Sequence, residues 1–134
     1  MTDPVELMLP PQPEFVGTAR IFAAAIGRHF GVDEEVVADL KVAISEACTG
    51  AIWAHNQEGI ADPIVIRVFP DLPSLNVEVE SKAGQAPAEG VEWEPVTPSD
   101  TFHPLLGGGL IRTLFPDAEF IENGGLTVRF SVPR

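Results

Sequence analysis

Two β-branched runs, PIVIRVF at residues 63–69 and LNVEVES at 75–81, are joined by the turn-forming DLPS and set the terms for the rest of the chain. Their length, composition and short connection read as a β-hairpin. Alternation puts Val77, Val79 and Ser81 on one face of the second strand and Glu78 and Glu80 on the other. An apolar sheet face has to be covered, and helical periodicity ahead of the hairpin supplies the cover.

Pro13 suits the first turn of a helix. Phe15, Ala19, Phe22, Ile26 and Phe30 then line one face up to Gly31. Asp33 is placed to cap a second helix, and Glu34 and Glu35 complement the positive end of its dipole. That helix carries an apolar stripe of Val37, Leu40, Ile44, Ala47 and Ala51. At about 100° per residue, Asp39, Val42, Glu46, Gly50 and Trp53 fall on the other side.

At the start of the chain, Val5–Leu9 reads as a short edge strand stopped by Pro10 and Pro11. Residues 82–100 show no period and read as a long loop of the lid or binding kind. HPLLGGGLIRTLF, residues 103–115, passes from a glycine run into a short helix. Residues 118–132 close the chain as a hairpin about Asn123, Gly124 and Gly125. This order predicts an α+β two-layer sandwich, a mostly antiparallel sheet with helices on one face, formed by residues 1–134 as a single domain.

Charge and cysteine usage narrow the function. Twenty acids against eight bases give a net charge of -12, which disfavours direct binding of DNA or RNA. The single Cys48 rules out an intrachain disulfide framework. MTDPVELMLPP lacks a signal-peptide pattern and no apolar run reaches the ~18 residues of a membrane span, so a cytoplasmic setting is expected.

Three places are candidates for chemistry. Glu46 is a lone acid on the quiet side of the second helix, read either as a reactive carboxylate or as a solvated surface residue. Gly107, Gly108 and Gly109, followed by Leu110, stand before a helix, where backbone N–H groups can cradle a phosphate or simply make a glycine turn. Ser81 is the inward residue at the tip of the second hairpin strand. Trp53, Trp93 and the acids Glu89, Glu92 and Glu94 serve either as protein contact points or, for the tryptophans, as core.

Taken together, the order of elements, SEACTGAIWAH on the second helix, GGGLIRTL, and GGLTVRFSVP at the end resemble the anti-sigma-factor serine kinases, which share the nucleotide-binding fold of sensor histidine kinases. The likeness runs from about Leu7 to Pro133. It implies that Glu46 activates or orients the attacking group and that Gly50 occupies the position of an asparagine holding magnesium. The family's His-Ala pair becomes Ala54-His55 here, turning the imidazole about 100° around the helix axis. The family's Asp-x-Gly-x-Gly, which receives adenine, falls on Ser81, Ala83 and Gln85. Its Gly-Thr, near the phosphates, is replaced by Gly125-Leu126, with Thr127 one residue later.

The resemblance therefore implies a regulatory protein that binds a sigma factor, an anti-sigma-factor antagonist, or both, and pairs as a homodimer. ATP or ADP with Mg2+ would bind weakly or not at all, leaving serine kinase activity weakened or lost. The alternatives are an active kinase that phosphorylates the antagonist and a nucleotide-free interaction module. A sensor histidine kinase is disfavoured, because the chain offers no phosphoacceptor histidine helix.

Overall fold

A computed structural model describes residues 3–84 and 104–134, without the side chains of 104–108. The expectations for Gln85, Glu89, Glu92, Trp93 and Glu94 lie outside the described residues, as does most of the expected 82–100 loop. The described elements are β1 (Val5–Leu9), a 3-10 turn (Pro13–Phe15), α1 (Val16–His29), α2 (Glu34–Glu58), β2 (Ile64–Phe69), β3 (Ser74–Ser81), α3 (Pro104–Leu114), β4 (Glu119–Glu122) and β5 (Leu126–Pro133). The strands form one sheet in the order β1-β2-β3-β5-β4, and every neighbouring pair is antiparallel. This is the expected α+β architecture, with β1 on an edge.

The two faces of the sheet follow the sequence alternation. Leu75, Val77, Val79 and Ser81 of β3 are buried, together with Val128, Phe130 and Val132 of β5. On the opposite face the register sets Glu6, Arg67, Glu78, Arg129 and Glu119 side by side across the strands. Arg67 pairs with Glu80 and Glu6, and Arg129 with Glu78, so alternating charge keeps that face in solvent.

α2 is the central helix of the cover, packing on α1, α3, β2, β3 and β5. All five residues of its expected stripe are buried, and Ala43, Cys48, Ile52, Ala54 and His55 widen it. Burial pushes the Cys48 thiol up to about 12, so it behaves as a small apolar residue.

On α1 the buried line keeps Ala19 of the expected face and differs from it elsewhere. Ala19, Ala23, Ala24 and Gly27 are buried, while Phe15, Phe22, Ile26 and Phe30 pack half-buried along the margin. Small residues let the helices approach closely: a Cβ at Gly27 would sit 3.5 Å from both Leu40 and Val37. Gly31, at φ 81°, ends α1. Asp33 stands at the N-cap position without a side-chain cap bond, and the Arg28–Glu34 ion pair at 2.8 Å joins the two helices there instead.

The glycine run needs correction. α3 begins at Pro104, so Gly107, Gly108 and Gly109 lie inside the helix and not ahead of it. Proline is favoured at a first helical position, and apolar residues at 105, 106, 110, 111 and 114 carry helical spacing through the glycines. Ile111 and Phe115 anchor this segment, Phe115 stacking on Phe130 at 4.7 Å. No helix among the described residues is long and apolar enough to cross a membrane.

Candidate functional site

The candidate residues divide between the outer side of α2 and the converging ends of β3 and β5. Glu46 is half-buried on α2, and desolvation raises its carboxyl above the usual glutamate range. Gly50, one turn further along, is half-buried as well. It offers no side-chain oxygen, and its backbone carbonyl belongs to the helix ladder.

A magnesium ion needs several oxygen ligands in near-octahedral geometry. Among the described residues no group of three His, Cys, Asp or Glu side chains is placed to hold a metal. The residues present on this helix do not fit the magnesium site that the family's asparagine provides.

The strand ends are tied to each other by their own polar groups. Ser81 is 4% exposed, and its hydroxyl lies 2.6 Å from the Ala83 carbonyl oxygen and 3.1 Å from that of Leu126. Its single proton serves these two acceptors and ties the tip of β3 to the start of β5. A Cβ at Gly125 would overlap the Ser81 carbonyl and the Lys82 backbone, which explains why only glycine fits where β5 begins. Ala83 and Thr127 are buried, and Thr127 lies opposite Glu80 in the ladder.

Two residues of this region were not among the sequence candidates. Gly84 adopts φ 110°, and a Cβ there would lie 3.6 Å from Leu126 and 3.7 Å from Ala54, so a glycine does stand at the strand tip, offset by one from position 83. The second is His55, which is fully buried. Its Nε2 accepts the Lys82 backbone N–H at 2.8 Å, so Nδ1 carries the proton and donates to the Asp62 carbonyl at 3.1 Å. The ring is therefore neutral, and burial lowers its pKa. His55 continues Ile44, Cys48 and Ala51 at spacings of four, three and four, and that spacing was the available signal for its burial.

α2 packs against α3, β3 and β5, the elements that carry the other candidates. Direct bonds join Ser81 to the start of β5 and His55 to the tip of β3. Gly108 and Gly109 do not stand ahead of the helix with free N–H groups. Both lie beyond the first turn of α3, where N–H groups enter the helix ladder. Leu110 follows them in the same helix, half-buried. Trp53 is 43% exposed and is not core; it borders a cavity of about 380 Å³ with Pro13, Val16, Thr49, Ile52 and Asn56.

Comparison with known proteins agrees with this fold. The sequence pattern of the histidine kinase-like ATPase domain matches residues 9–132. Serine-protein kinase RsbW of Bacillus velezensis is 32% identical over 132 residues, spanning 94% of this chain and 82% of the relative. RsbW of Bacillus subtilis gives the same identity and coverage. A crystal structure of RsbU and RsbW domains from Mycobacterium tuberculosis superposes with a TM-score of 0.71 over 98% of this chain. This chain spans 32% of that longer one, and at 17% identity the likeness is one of fold. The chain belongs to the histidine kinase-like ATPase domain family and, within it, to the anti-sigma-factor serine kinases of the RsbW type.

Proposed function

We propose that this protein is an RsbW-type regulator that binds a sigma factor and the antagonist protein competing for it, with ATP-dependent phosphorylation of the antagonist's serine weakened or lost. Family membership supports the binding half of this reading. Homodimer formation and a cytoplasmic setting belong to the same proposal.

The observation that carries the catalytic half is Gly50. One turn beyond Glu46, it brings no side-chain oxygen where the family holds a cation. Phosphoryl transfer depends on positioning and on neutralising phosphate charge, so losing the cation's anchor harms the rate more than the fold. Two further features support weak nucleotide binding. The Ser81 hydroxyl is spent on the Ala83 and Leu126 carbonyls, and two of the three α3 glycines sit within the helix ladder. Glu46 keeps the chemistry of a base: it is a carboxylate whose affinity for a proton is increased by desolvation.

The test is thermal unfolding of the full chain with millimolar ATP or ADP, with and without Mg2+. A ligand at a hundred times its Kd adds about 2.7 kcal/mol and raises Tm visibly. The wild type is expected to show little or no magnesium-dependent shift, and Gly50→Asn is expected to gain one. A saturating, magnesium-dependent shift in the wild type overturns the catalytic half of the proposal.

A further inference from the structure

We infer that His55 is a proton-sensitive latch fastening the tip of β3 to the C-terminal half of α2. The geometry requires the neutral ring. Nε2 accepts the Lys82 N–H at 2.8 Å, and Nδ1 is already committed to the Asp62 carbonyl at 3.1 Å. A proton on Nε2 would set one N–H against another inside a fully buried site.

What the latch holds is the converging strand ends. Lys82 follows directly on Ser81, whose hydroxyl reaches Ala83 and Leu126, and Gly125 packs against the Ser81 and Lys82 backbone. Losing one accepted hydrogen bond at Lys82 therefore loosens the junction of α2, β3 and β5 together. On the other side of the ring, Nδ1–H keeps its bond to the Asp62 carbonyl in either protonation state, so the proton acts on the Lys82 side alone.

The surrounding charges do not replace the missing acceptor. On its own helix the ring has Glu58 nearby, and after the helix Asp62; both favour the charged ring, but less than burial opposes it. From β3 come Glu80 and Lys82, whose side chains pair with each other at 3.7 Å. The start of β5, Gly125-Leu126-Thr127, brings no charge.

The docked ring has its pKa lowered from the ordinary 6.5, so the undocked tip binds more protons between those two values. The latch is fully closed above pH 6.5 and weakens as pH falls below it. Each pH unit in that window shifts the docked-to-undocked ratio by up to about tenfold. This holds whether or not a nucleotide binds, and it makes any ligand or protein seated against the strand tip sensitive to acid.

The experiment is amide hydrogen exchange at Lys82 in the full chain between pH 7.5 and 5, corrected for intrinsic rates, in the wild type and in His55→Gln. Glutamine can accept from Lys82 and donate to Asp62 at every pH in the range. The wild type should lose Lys82 protection by up to about tenfold per pH unit below 6.5, and the variant should stay flat. A flat wild-type profile, or a parallel fall in both proteins, overturns the latch. Should the variant fail to fold, ring-nitrogen chemical shifts of the wild type decide. A neutral Nδ1–H ring at pH 7.5, titrating below 6.5 in step with the Lys82 amide, supports the latch. A charged ring at neutral pH, or titration without movement of Lys82, overturns it.

Discussion

The strand-end junction and the outer side of α2 treat their polar groups in opposite ways. At the junction, Ser81, His55 and the Lys82 N–H are buried or part-buried and spend their hydrogen bonds on one another and on nearby carbonyls. On α2, Glu46 and Gly50 are half-exposed, and the acid stands without an oxygen-bearing neighbour one turn on. The first region is fully paired, since buried donors and acceptors are costly to leave unmade. In the second, Glu46 is partly desolvated, and that raises its carboxyl above the usual glutamate range.

Substitutions at the two regions should separate sharply in size. The largest effect is expected from Gly125→Ala, whose new Cβ runs into the Ser81 and Lys82 backbone. A loss of about 3 kcal/mol in denaturant unfolding is expected. Gly124→Ala, with φ 83° but open space around it, should lose about 1 kcal/mol. Equal losses at the two glycines would show that the junction is not closely packed.

Ser81→Ala removes the proton shared by two carbonyls and should cost about 1 kcal/mol in the same measurement. A neutral outcome would mean that the hydroxyl is free for a ligand after all, and the contrast between the regions would narrow.

The smallest effect belongs to α2. Because burial raises the Glu46 pKa, its contribution to stability is fully present below the ordinary value of 4.5 and is lost as pH rises through the raised one. Glu46→Gln removes that penalty and should stabilise the fold at pH 7 by less than about 0.5 kcal/mol, since the group is half in solvent. The gain should vanish below pH 4.5, read from unfolding midpoints across pH.

Much of the fold was legible from local pattern. The hairpin alternation placed Val77, Val79 and Ser81 inward, and the α2 stripe was buried as read. The α1 face was read less well: Ala19 is buried as expected, but hydrophobicity favours phenylalanine, whereas the close approach to α2 selects small residues, as at Gly27. The glycine run misled for a related reason: glycine signals a break locally, but apolar spacing on either side carries the helix through it.

The sequence by itself determined the order of elements, the inward and outward faces of the strands, the absence of a side-chain oxygen at position 50 and the surplus of acid. These follow from covalent identity and short-range periodicity. Tertiary structure alone decided that the Ser81 hydroxyl is consumed by Leu126, 45 residues away, that Gly125 must be glycine, and that His55 reaches across to Lys82. Such contacts depend on which segments meet in space, and a buried polar group finds its partner only once the chain has closed around it.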